Sequence, residues 1–155
     1  MKIIENLLSE LANRQNKNIP VSKRFQYTDL KRITKYLKSS IFDNDECSIW
    51  TGYITNLNNA SKGVYINFYF RGKKIALHRL LYINFVGNLD NDEYIKFSCH
   101  NKGKCCNINH LIKYKYYNDQ VKSDDATNIN QSCTKKINKK TIDSDIMNND
   151  FIVIF

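Results

Sequence analysis

The residues best suited to chemistry are crowded into one stretch, Cys99-His100-Asn101-Lys102-Gly103-Lys104-Cys105-Cys106-Asn107-Ile108-Asn109-His110-Leu111. It holds three of the chain's five cysteines and two of its three histidines. Thiolate sulfur and imidazole nitrogen are the donors zinc prefers. Short Cys-to-Cys and Cys-to-His spacings let one small loop wrap a tetrahedral ion. A fourth candidate donor, Cys47, lies far upstream, beside Trp50. Bringing Cys47 to the same ion would tie the first half of the domain to the second. The elements that matter are therefore those that carry residues 47–50 and 99–110.

The chain that must position them has 155 residues, 42% of them hydrophobic and 12% aromatic, with ten Tyr and eight Phe. That length suits one domain with a modest core and flexible ends, and the composition is globular rather than disordered. No apolar run reaches membrane-spanning length, and the N-terminus lacks the apolar core of a signal peptide, so an intracellular, non-secreted protein is expected. In that reducing setting clustered cysteines are more often metal ligands than disulfides. The net charge of +9 is unevenly placed: nine basic against five acidic residues over 1–45, eleven against five over 46–122, and four against five over 123–155. A basic, Tyr-rich body favours a polyanion such as nucleic acid, although lysine-rich surfaces also simply confer solubility.

In chain order, Ile3, Leu7, Leu8 and Leu11 predict an amphipathic helix over 2–13. Thr28 is the expected N-cap of a second helix, with Leu30, Ile33, Tyr36 and Leu37 on one face and Lys31, Arg32, Lys35 and Lys38 on the other. Cys47 to Tyr53 reads as a strand, and so does Val64 to Phe70. Arg71-Gly72-Lys73-Lys74 has the composition of a hairpin turn, and Ala76 to Phe85 switches to helical spacing. A short strand, Tyr94 to Ser98, leads into the cysteine-rich stretch, and Tyr114 to Lys122 is expected as a basic helix. The tail is polar until the apolar Phe151-Ile152-Val153-Ile154-Phe155, which could add a strand or bind a partner.

The combination of Cys47-x-x-Trp50-Thr51-Gly52, Gly72-Lys73, His78-Arg79-Leu80-Leu81-Tyr82 and the Cys-His-Asn…Cys-x-Asn-x-x-His-Leu stretch resembles the zinc-containing HNH (His-Me finger, ββα-metal) endonucleases. Homing-type enzymes belong to this group, and related copies occur in phages and large DNA viruses. The resemblance covers about residues 46–122. It implies an α+β fold built on a zinc-stabilised ββα-metal domain with a β-hairpin (46–122); the flanking residues read as an N-terminal helical extension (1–45) and a polar tail with an apolar end (123–155). It also implies a structural Zn²⁺ held by Cys47, Cys99, Cys105 and His110, with Cys106 and Cys133 as free thiols.

In active members of that family a histidine two residues before the first cysteine of the stretch serves as general base. An asparagine nine residues past the zinc histidine helps hold Mg²⁺, and an arginine contacts the cleaved strand. The matching positions here are Phe97, Asp119 (with Asn118 beside it) and Arg79. Phenylalanine cannot accept a proton. His78 is expected as a packing residue rather than a base. Three roles stay open for His100: base, zinc ligand in a shifted register, or surface residue.

The first expectation is a DNA-binding protein derived from such a nuclease, its cleavage impaired or lost. Arg71, Lys73, Lys74, Arg79, Lys113 and Lys115 would meet phosphates. The second is a working Mg²⁺-dependent endonuclease in which His100, or a water held by Asp119, supplies the base. The third is an assembly protein that presents its N-terminal helices or C-terminal tail to a protein partner or a second copy.

Overall fold

The computed structural model describes residues 1–117; Asn118, Asp119, Cys133 and the apolar C-terminus lie outside the described residues. Helix α1 (Lys2–Arg14) buries Leu7 and Leu11 on one face, as the spacing of its leucines requires. Helix α2 (Tyr27–Thr34) starts from Gln26 rather than Thr28, because the Asp29 carboxylate reaches back to accept the Gln26 N–H at 2.9 Å. A carboxylate at the third helical position satisfies an orphan donor and complements the helix dipole, which outweighs a threonine hydroxyl two residues later.

Strands β1 (Asn67–Phe70) and β2 (Lys73–Ala76) form an antiparallel hairpin, Asn67 facing Ala76 and Phe70 facing Lys73. The two-residue turn between them puts Arg71 at φ +48° and Gly72 at φ +80°. Positive φ at both positions is what the type I′ hairpin turn demands. Glycine accepts this without strain, whereas Arg71 is held there by its side chain, which donates to the Val21 carbonyl at 2.7 Å and lies over the Phe70 ring at 5.2 Å. The expected strand over 64–70 is thus shorter, with Tyr65 making an isolated bridge to Thr55.

Helix α3 (Leu77–Phe85) leaves β2 without a loop and buries Leu77, Leu80, Leu81 and Phe85. Asn84, fully buried, accepts from the Phe25 N–H (2.9 Å) and the Gln15 side chain (2.8 Å), and donates to the Lys23 carbonyl (3.0 Å). One amide thereby clamps the irregular link between α1 and α2 onto α3. The core runs unbroken from Leu7 and Leu11 through Phe25, Leu30 and Ile33 to Phe68, Leu77 and Leu81. Phe25 meets Phe68 and Phe70 edge-on at 5.9 and 5.7 Å.

Strands β3 (Glu93–Phe97) and β4 (Leu111–Lys115) form a second antiparallel hairpin, with Phe97 opposite Leu111 and Glu93 opposite Lys115. The basic helix expected from Tyr114 is therefore a strand up to Lys115. Its residues alternate, Ile112 and Tyr114 on one side against Lys113 and Lys115 on the other, and β3 supplies partners for both sets. Tyr94 stacks on Tyr114 at 5.7 Å, while Glu93 and Asp92 pair the lysines. Residues 47–53 are likewise less regular than expected, making isolated bridges only, Ile49 to Cys105 and Trp50 to Leu37. The architecture is mixed α+β, and among the described residues no helix is long and apolar enough to cross a membrane.

Candidate metal centre and basic face

The cysteine-rich stretch is the connection between β3 and β4, and the segment carrying Cys47 lies against it. Trp50 N–H donates to the Lys104 carbonyl (3.0 Å) and Cys106 N–H to the Ser48 carbonyl (2.7 Å), so residues 48–50 and 104–106 run side by side. This brings Cys47, Cys99, Cys105 and His110 together, with all four donor atoms within 4.8 Å of one another. His110 Nδ1 lies 3.5 Å from both Cys47 Sγ and Cys105 Sγ. Bonds of ~2.3 Å from zinc to sulfur and ~2.0 Å to nitrogen give a tetrahedral S···N edge of roughly 3.5 Å. The donor set therefore suits a closed four-coordinate metal site.

Asn107 explains how segments so far apart in sequence stay in register. It is fully buried, and its side-chain amide donates to the carbonyls of Asp43 (2.8 Å) and Glu46 (2.7 Å), the turn that delivers Cys47. Its Oδ1 accepts the Asn109 N–H (2.8 Å), shaping the 3₁₀ turn Ile108–His110 that presents the histidine. The Asp43–Glu46 turn is in turn tightened by the Asp43 carboxylate, which accepts the N–H groups of Asp45 and Glu46. Those two bonds hold the Asp43 carboxyl below its ordinary value. Gly103 closes the other side of the loop. It has φ +76°, and a Cβ there would lie 1.8 Å from the Val64 carbonyl oxygen, so no other residue fits.

Two of the thiols sit in turns of the same design. The Asn107 N–H donates to Cys105 Sγ at 3.3 Å, and the Asn101 backbone makes the corresponding bond to Cys99. Such bonds favour the charged sulfur, but burial and the neighbouring thiols work the other way. Burial foremost pushes Cys105 up to about 12, and Cys99 is raised for the same reason. Three thiols facing one another in a half-buried site are stable as thiolates only with a cation among them. Cys106, next in sequence, is fully buried, with its thiol raised by burial, and is not one of the grouped donors.

The remaining residues singled out from sequence fall in different places. His100 is exposed and is not one of the grouped donors; Cys99 takes the position that a shifted register would have given it. Phe97 is half-buried, its ring 5.2 Å from the His78 imidazole. His78 is buried, and desolvation, helped by the Arg79 charge, pushes it down to about 4, so it is a neutral packing group. Arg79 is half-buried and lines a cavity of about 360 Å³ with Lys23, Arg71, Lys73 and Leu89. Lys73 and Lys74 are exposed on the hairpin. Lys113 and Lys115 are less available than expected. Lys113 pairs with Glu93 at 3.1 Å and Lys115 with Asp92 at 3.0 Å, and these bonds raise both lysines.

The sequence reading gave no role to Asn107, Gly103 or Asn84. The spacing Cys105-x-Asn107-x-x-His110 contained the first, but nothing in one sequence distinguishes an amide that bridges two segments from one on the surface.

No family model and no solved structure matches the chain. It is 56% identical over 115 residues to Uncharacterized protein R328 of Acanthamoeba polyphaga mimivirus, a match that covers 74% of this chain and 34% of that protein. The chain thus spans about a third of the length of this viral relative.

Proposed function

We propose that this chain is a zinc-stabilised nucleic-acid-binding module of the HNH (His-Me finger) type whose strand-cleaving chemistry is impaired or lost. The observation that carries the reading is the cluster that Cys47 makes with Cys99, Cys105 and His110 of the connection between two antiparallel strands. These are the four residues that the family resemblance implies as zinc ligands. Zinc is the ion of choice because three sulfurs and one imidazole at tetrahedral spacing suit it better than magnesium or calcium. Phe97 stands where the general base is expected. The one imidazole beside it, His78, is buried and neutral. Loss of a general base lowers rate by roughly 10²–10⁴-fold.

Lys23, Arg71, Lys73 and Arg79 around one cavity, with Lys74 exposed on the same hairpin, form the surface on which phosphates dock. The test is duplex DNA binding by fluorescence anisotropy across a salt series, with a plasmid-nicking assay in Mg²⁺ alongside. Binding should weaken steeply with salt, and Lys73→Ala with Lys74→Ala should flatten that dependence. Nicking should be absent or very slow. Salt-independent binding would remove the phosphate contacts. Efficient nicking abolished by His100→Ala would replace this reading with that of a working Mg²⁺ endonuclease, since His100 is the exposed imidazole next to the cluster.

A further inference from the structure

A second cavity, of about 310 Å³, lies between the β1 strand and the segment after Cys47, lined by Tyr36, Trp50, Tyr53, Asn67, Tyr69 and Lys35. Its walls are aromatic, and three of the rings are unusually open for their size: Tyr53 is 80% exposed, Tyr69 58% and Tyr36 43%. Large rings left this open on a basic protein offer faces for stacking. Trp50 is the buried wall of this cavity: it is only 6% exposed, Tyr36 packs 4.9 Å from its ring, and the Gly52 backbone lies so close that a Cβ there would fall 2.6 Å from the indole nitrogen. Arg32, also on the rim, is tied to the Tyr69 carbonyl at 2.9 Å, while Lys35 is exposed.

We propose that this cavity receives a single unpaired nucleobase, stacked on Tyr53 and Tyr69, with its phosphate against Lys35. The proposal rests on the nucleic-acid reading above and adds a single-stranded or looped position to it. A planar base matches the open tyrosine rings, and its phosphate matches the exposed lysine. An aliphatic side chain of a protein partner would use neither.

Trp50 is the chain's single tryptophan, so its emission reports on the cavity directly. Metal-loaded full-length protein is titrated with a twelve-residue oligothymidylate, with thymidine monophosphate and with inorganic polyphosphate. The oligonucleotide should change Trp50 emission and polyphosphate should not. Tyr53→Ala and Tyr69→Ala, both at exposed rings, should each weaken the oligonucleotide about tenfold, and Tyr53→Phe should retain it. Tight oligonucleotide and weak monophosphate binding assigns the site to a strand; equal affinities assign it to a free nucleotide, and both support a base site. Unchanged affinity in the alanine variants, or an equal response to polyphosphate, overturns it. If those variants are silent while salt-dependent duplex binding persists, the cavity assignment alone falls. If no nucleic acid binds at all, both fall together.

Discussion

At the scale of single residues, His78 is the side chain whose environment has the clearest measurable consequence. Burial holds its folded value near 4 against an ordinary 6.5. Below pH 6.5 the unfolded chain takes up a proton that the folded chain refuses, so stability is fully present above 6.5 and falls as pH drops toward 4. The contribution lost by pH 5 is about 2 kcal/mol, from 1.36 kcal/mol per pH unit. Urea unfolding at pH 7 and pH 5 should show His78→Gln losing about that much less stability than the parent over the interval. Acid weakening of any metal site is shared by the two proteins and cancels in the difference. Equal losses would mean that the imidazole is solvated after all.

Among elements, the relation that decides the site is the one between the Asp43–Glu46 turn and the β3–β4 connection, and Asn107 makes it. Asn107→Ala leaves the Glu46 carbonyl without its donor and the Asn109 N–H without its acceptor, and leaves the Asp43 carbonyl with the Asn109 amide alone. Unpaired buried groups cost about 1–3 kcal/mol each, and such supporting residues commonly set metal affinity by about 10–100-fold. Competition against a chromogenic chelator should therefore show Asn107→Ala losing metal affinity by that factor. An unchanged affinity would mean that the Cys47 segment is held by other bonds.

The elements also mark how far sequence alone reaches. The four donors, the Arg71-Gly72 turn and α3 were legible because each has a local signature: ligand type, turn chemistry, helical spacing. The β4 strand was not, because Leu111 to Tyr117 is rich in Lys and Tyr, and either period can be traced through so short a run. What selects the strand is Tyr94, Glu93 and Asp92 across the ladder, partners that a local pattern cannot contain. The cap of α2 failed for a smaller reason: the Asp29 carboxylate reaches back to the Gln26 N–H in a reciprocal capping box, which starts the helix ahead of Thr28. The Trp50 cavity is assembled from α2, β1 and the loop after Cys47, so no stretch of sequence announces it.

For the molecule as a whole, one core joins the N-terminal helices to both hairpins, reaching Ile95 and Leu111 of the second, while the Cys and His cluster adds a further tie between that hairpin's connection and the Cys47 segment. Zinc held by such a set contributes roughly 10 kcal/mol or more, comparable with the whole net stability of a domain, about 5–15 kcal/mol. Treating the metal-loaded protein with a strong chelator should lower its thermal midpoint by about 10 °C or more. It should also shift Trp50 emission to the red as residues 48–50 leave residues 104–106. A chelated protein with unaltered midpoint and emission would show that the cluster holds no structural ion.

The distance in sequence between the first thiol and its partners has a consequence for synthesis. Cys47 leaves the ribosome 52 residues ahead of Cys99 and 63 ahead of His110. During that interval the nascent chain carries a lone sulfur that can be oxidised or captured by another polypeptide before its own coordination sphere exists. Its coordination sphere closes only when the final imidazole emerges.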